Sequence, residues 1–117
     1  DSMRAALTAF AAYPCKGRKI ALLSDMLEIG PNSYEDHKEM GRLCAQLGFD
    51  QLWATGRDAK GYAEGASEAG LQEAFFCPDK MELTRSLAPT LREGDLVWVK
   101  GSRGMEMEEI FPILYRP

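Results

Sequence analysis

Lys19-Ile20-Ala21-Leu22-Leu23-Ser24, followed at once by Asp25-Met26-Leu27-Glu28-Ile29-Gly30, decides how the rest of the chain is read. The first six residues are apolar without alternation, the pattern of a short strand buried on both faces of a parallel sheet. The next six turn polar and run into Gly30-Pro31, a loop. A helical pattern follows. Met40, Leu43, Cys44 and Leu47 recur at i, i+3, i+4, i+7, Asn32 and Glu35 have capping-box spacing, and Gly48 supplies a stop.

The same alternation extends both ways. Upstream, residues 2–13 are an Ala-rich helix that Asp1 or Ser2 can cap and that Pro14 and Gly17 end. Downstream, residues 50–55 read as a second strand. Residues 58–69 are a weaker helix with Tyr62, Ala63 and Ala66 on one face, and 73–77 are a short third strand. Asp79 and Glu82 open a helix carrying Leu83, Thr84, Leu87, Ala88 and Leu91, which Pro89 should kink or shorten. Leu96-Val97-Trp98-Val99-Lys100 is the fourth strand, 101–104 a tight loop, and 105–114 a last helix. Strands alternating with helices imply parallel strands with crossover helices on both faces. The expected fold is a three-layer, doubly wound, mostly parallel α/β sheet of Rossmann-like type. An additional edge strand could lie in residues 115–117 or come from elsewhere.

The 117 residues, 45% apolar and 27% charged, suit one globular domain over residues 1–117 and are unlike a disordered chain. A net charge of −4 without any basic run argues against nucleic acid and anionic membranes as partners. No apolar stretch approaches the roughly 20 residues that span a bilayer, and the first residues have no signal-peptide pattern. Cys15, Cys44 and Cys77, odd in number and far apart, read as reduced cytosolic thiols and not as a disulfide or zinc framework. The opening Asp1-Ser2-Met3-Arg4, without an initiator methionine, reads as a fragment or a processed piece.

Ligands of such sheets bind beyond the carboxyl ends of the strands. Two loops stand out there. The loop after the first strand brings Asp25 and Glu28, which can accept hydrogen bonds from an ammonium, hold a metal, or simply cap backbone. The loop after the last strand, Lys100-Gly101-Ser102-Arg103-Gly104, combines flexible glycines, two cations and an expected helix start, a combination suited to an anion. Its bland counterpart is a strand-to-helix turn with solvated cations. His37 is read as a packing or surface residue, Trp53, Trp98, Met105 and Met107 as core. Gly56, Gly61 and Gly65 look loosely nucleotide-like, but no Gly-x-Gly-x-x-Gly follows the first strand. No phosphate-cradling Gly-x-x-x-x-Gly-Lys-Ser/Thr run, metal-ligand cluster or nucleophile–base pair is present either. The chain reads as half of a site, with groups for a small zwitterion and no catalytic residue or metal of its own.

The segments 1–7, 17–30, 37–41 and 99–108 together, with Asp25-Met26-Leu27-Glu28 and Lys100-Gly101-Ser102-Arg103-Gly104-Met105 at this spacing, resemble the C-terminal domain of the Mur ligases, and most of all the type that adds D-alanyl-D-alanine. Residues 50–92 match in architecture only. One departure is Ser24, where the family usually has Gly. The resemblance implies a three-domain, monomeric, cytoplasmic bacterial enzyme of peptidoglycan precursor synthesis. With ATP and Mg²⁺, bound mainly outside this chain, it activates UDP-MurNAc-tripeptide as an acyl phosphate, which the amine of D-Ala-D-Ala then attacks. It also implies that this domain presents the dipeptide and is inactive alone. Asp25 and Met26 would lie in one substrate loop, Lys100, Ser102 and Arg103 in the other, and Asp1 and Ser2 beside them. The alternatives from other classes are a receiver-like regulatory domain or a nucleotide-binding module.

Overall fold

The computed structural model describes residues 2–26, 30–101 and 103–115, with Arg103 described in its backbone only. The order of elements is α1 (Ser2–Ala11), β1 (Lys19–Ser24), α2 (Ser33–Gln46), β2 (Gln51–Thr55), α3 (Lys60–Glu68), β3 (Ala74–Phe76), α4 (Lys80–Leu87), β4 (Leu96–Lys100) and α5 (Phe111–Leu114). All strands are parallel, in the order β3-β2-β1-β4. This is the doubly wound α/β fold expected. Among the described residues no fifth strand joins the sheet, and 116–117 lie outside them.

Alternate residues of the central strands feed two separate cores. Ala21 and Leu23 of β1, with Leu52 and Ala54 of β2, pack under α1, α2 and α3 against Leu7, Phe10, Met40, Cys44, Tyr62 and Ala66. Ile20, Leu22 and Trp53 face the other way, onto Leu83 and Leu87 of α4 and onto Met107 and Ile110. A strand buried on both faces has no reason to alternate, which is why β1 reads as a continuous apolar run. Cys44 lies fully inside the first core, and burial pushes its thiol up to about 12.

The helices α2 and α3 meet backbone to backbone. A side chain at Gly41 would collide with the Tyr62 carbonyl, one at Gly65 with the Lys38 carbonyl, and one at Gly61 would come within 2.7 Å of the Tyr34 carbonyl oxygen. Gly61 and Gly65 are thus contact residues between helices and not part of a nucleotide loop. At the amino end of the sheet, Arg18 joins β1 to β4. Its backbone N–H and Nε donate to Asp95 Oδ1 (3.0 and 3.1 Å), and Nη2 donates to Oδ2.

Two local expectations are corrected. Asn32 makes no side-chain cap for α2; its carbonyl accepts from Asp36 N–H instead, while Ser33 Oγ turns to Asp58. The capping Asp79 does perform as expected, accepting from Met81 and Glu82 N–H, and Pro89 converts the end of α4 into a 3₁₀ turn, Ala88–Thr90. The last helix is not continuous over 105–114. It is split into 3₁₀ turns Arg103–Met105 and Met107–Ile110, then the single turn of α5, because Glu106 takes a left-handed conformation (φ 48°, ψ 49°).

Candidate functional site

β1 and β4 are the neighbours at which the winding reverses. The chain leaves β1 for α2 on one face, whereas it reaches β4 from α4 on the other. Loops leaving two such strands diverge and open a crevice at the carboxyl edge, the place where doubly wound sheets bind ligands. The two loops singled out in the sequence are those two. The start of α1 arrives at the same edge. Phe10 stacks on Trp98 with centroids 5.0 Å apart, and Lys19 Nζ at the opposite edge donates to the Ala11 carbonyl, so α1 runs against the strands. At about 1.5 Å per residue, the stretch back from Phe10 carries exposed Ser2 and buried Met3 towards the carboxyl edge, where Met3 shares a core with Met26.

In the first loop Asp25 is 5% exposed and both of its oxygens are used. Oδ2 accepts from Arg57 N–H (2.8 Å) and Oδ1 from Asp58 N–H (3.0 Å). The carboxylate sits against Gly56, whose φ of 126° and lack of Cβ let it approach; a Cβ there would be 2.7 Å from Oδ1. Asp25 thus ties the loop after β1 to the turn after β2. Met26 N–H donates to His37 Nε2 (2.9 Å), and its side chain packs on the first core. His37 is fully buried, as a packing reading requires, with Nδ1 2.6 Å from the Ser33 carbonyl oxygen and the Tyr62 ring edge-on at 4.7 Å. Tyr62 OH donates to the Ser24 carbonyl (3.0 Å), and burial, then Asp25, push its phenol far above the ordinary range. Glu28 lies outside the described residues.

In the second loop Lys100 closes β4 opposite Leu23 of β1. It is half-buried, and among the described residues no carboxylate pairs with it. Gly101 lies directly on Ser24, whose buried hydroxyl has no hydrogen-bond partner among the described residues. The backbone then enters the 3₁₀ turn at Arg103, which Lys80 fastens from α4. Lys80 Nζ donates to the Met105 (2.8 Å) and Glu106 (3.0 Å) carbonyls and meets Glu109 at 2.7 Å, holding the Glu109 carboxyl below its usual range. The expected long helix with its positive end at this loop is therefore absent, and charge here comes from side chains and not from a helix dipole. Ser102, Asp1 and the Arg103 side chain lie outside what is described.

Sequence reasoning missed three participants. Arg57 stands on the loop after β2, at the same edge, with its side chain 89% exposed. The signal was available: Gly56-Arg57-Asp58 directly follows a strand. His37 and Tyr62 brace the first loop from α2 and α3, which no spacing in the sequence reveals. Among the described residues no group of three His, Cys, Asp or Glu side chains is placed to hold a metal ion.

The family model for "Mur ligase, glutamate ligase domain" matches residues 1–103. The chain belongs to this Mur ligase family. It is 32% identical to the UDP-N-acetylmuramoyl-tripeptide–D-alanyl-D-alanine ligase of Bacillus subtilis (strain 168), over 93% of this chain and 24% of that protein. MurF of Acinetobacter baumannii, a crystal structure, superposes with a TM-score of 0.79 at 29% identity, over 97% of this chain and 25% of that one. The MurF ligase of Thermotoga maritima, solved in complex with ADP, shares the fold (TM-score 0.74, 22% identity, 97% of this chain and 25% of that one). The chain thus spans about a quarter of the length of these Mur ligases. The Ser24 departure leaves β1 regular to its last residue. No described helix is long and apolar enough to cross a membrane.

Proposed function

We propose that this chain is the C-terminal domain of a three-domain, monomeric, cytoplasmic bacterial ligase that uses ATP and Mg²⁺ to join D-Ala-D-Ala to UDP-MurNAc-tripeptide, and that it presents the dipeptide. The observation that carries this reading is the place of Lys100, at the carboxyl end of β4 opposite Leu23 of β1 and without a carboxylate partner among the described residues, in a chain of this family.

Lys100, Ser102 and Arg103 receive the carboxylate of the dipeptide, Arg103 as a two-pronged donor. Met26, on the opposite lip, and Ser2, at the start of α1, line the path to the amine. Asp25 sets the course of the first loop through Arg57 and Asp58, since both of its oxygens already accept from backbone N–H groups. The amine contact then falls to Asp1, beside Ser2. Nucleotide and Mg²⁺ belong to the remainder of the enzyme. The sequence offers no phosphate-cradling loop, and the described carboxylates form no metal-binding group. What these residues contribute is orientation: a neutral amine held facing an acyl carbon reacts far faster than one in free solution.

In the full-length ligase, Arg103→Ala and Lys100→Ala should each raise the dipeptide KM by about 10- to 100-fold, the worth of a charge-assisted hydrogen bond, with the ATP KM nearly unchanged. An unaltered dipeptide KM in both variants removes the second loop from the site. ATP turnover by the 117-residue chain alone would overturn the assignment of nucleotide chemistry to the rest of the enzyme.

A further inference from the structure

The loop after β1 is gripped at successive residues. Tyr62 OH holds the Ser24 carbonyl, the turn after β2 holds the Asp25 carboxylate, and His37 holds the Met26 N–H. The last grip dictates the state of the ring. Met26 N–H is a donor, so Nε2 at 2.9 Å must offer a lone pair. The Ser33 carbonyl oxygen is only an acceptor, so Nδ1 at 2.6 Å must carry the proton. The neutral Nδ1–H imidazole satisfies both, and neither the other tautomer nor the imidazolium does. Asp25 Oδ1 stands 3.9 Å from Nε2, beyond hydrogen-bond range, so Nε2 remains the acceptor of the Met26 N–H.

A core histidine can satisfy one nitrogen within its own helix, as Nδ1 does here with Ser33. The informative bond is the other one. It crosses 11 residues to a backbone amide on the lip of the crevice. The ring has no freedom to drift, being at zero exposure with the Tyr62 ring edge-on against it. We propose that His37 is a positioning residue for the incoming-substrate site: through its neutral Nδ1–H form it fixes Met26, at the head of the first loop, in the position that meets the substrate. This rests on the function proposed above. His37 touches no reacting atom.

The test separates the grip from what the loop binds. In the chain labelled with ¹⁵N, long-range ring correlations should show His37 protonated at Nδ1 and not at Nε2, with the Met26 amide proton shifted downfield and slow to exchange. In the full-length ligase, His37→Leu keeps the bulk but offers no acceptor. It should raise the dipeptide KM roughly tenfold with the ATP KM unchanged, because the loss is confined to substrate positioning. His37→Gln, whose side-chain oxygen can accept from Met26 N–H, should bring that KM back to within about threefold of wild type. A ring protonated at Nε2, a dipeptide KM indifferent to His37→Leu, or a His37→Gln enzyme no better than His37→Leu each overturns the inference. Should His37→Leu fail to fold, His37→Gln and the wild-type ring signals decide it. A wild-type ligase that does not use D-Ala-D-Ala refutes the proposed function instead; the ring and amide signals then decide the grip alone.

Discussion

Replacing Gly101 by Ala tests the contact that joins the carboxyl ends of β1 and β4. Gly101 has no left-handed φ that would forbid a side chain, so any cost arises from what the new methyl meets. It would land on Ser24 Oγ, 2.9 Å from Ser24 Cβ and 3.4 Å from Ser24 Cα. Overpacking of this kind costs about 1–3 kcal/mol, and the overlap with Oγ places Gly101→Ala at the upper end. The three distances then predict a graded rescue. Ser24→Ala removes the overlapping oxygen but leaves a Cβ–Cβ approach of 2.9 Å, so Gly101→Ala in that background should recover only part of the loss. Ser24→Gly leaves Cα as the nearest atom, at ordinary contact distance, and recovery should be nearly complete. Alone, Ser24→Gly stays within about 1 kcal/mol of wild type, since a glycine in a strand costs about 0.5–1 kcal/mol while removal of a buried hydroxyl without a partner offsets it. The expected coupling in the double-mutant cycle is about 2 kcal/mol. Urea unfolding followed by tryptophan fluorescence reads both faces of the sheet, because Trp53 and Trp98 lie on opposite sides. A Gly101→Ala variant as stable as wild type, or strict additivity with Ser24→Gly, would refute the reasoning.

The Asp95 carboxyl is held well below the usual carboxylate range, first by Arg18 and against the opposing effect of burial, with further help from the Arg92 and Arg18 N–H groups. A depressed folded-state value means that the contribution is complete above about pH 4 and is lost as pH falls towards the folded value. Asp95→Asn should cost about 2–4 kcal/mol at pH 7 and should flatten the stability profile below pH 4; a parallel profile in guanidinium titrations across pH would count against it. Asp25→Ala leaves two backbone N–H groups without their acceptor and should cost about 2–4 kcal/mol, with exchange of the Arg57 and Asp58 amides accelerated well beyond that of β2. Unchanged protection at those two amides would show that Asp25 does not hold the turn.

β1 and β4 begin and end where the sequence placed them, because an apolar run cut by charge or glycine at both ends leaves little choice of boundary. Asp79, two residues before the first amide it caps, is equally local. The misreadings have the opposite character. Glu106 sits in an acidic, Met-rich stretch that favours helix, yet Lys80, 25 and 26 residues away, holds the Met105 and Glu106 carbonyls where the helix breaks. Asp25 could be recognised as a carboxylate at the ligand edge, but not as one already engaged by amides 32 and 33 residues onward. The positions of both candidate loops were legible in the pattern of alternating elements. The braces beneath them were not, since His37, Tyr62 and Lys80 act across distances that periodicity does not measure.

The seam between α2 and α3 has a consequence for motion. Helices separated by side chains can slide or tilt while those chains change rotamer; helices whose main chains touch at Gly41, Gly61 and Gly65 cannot. They should open as one block with β1 and β2, giving the slowest amide exchange in the chain, while the short turns from 103 onward open earlier and independently. The first lip of the crevice is then anchored to the stiffest part of the molecule and the second to one of its softest. Any adjustment to a ligand would be made almost entirely from the side of Lys100.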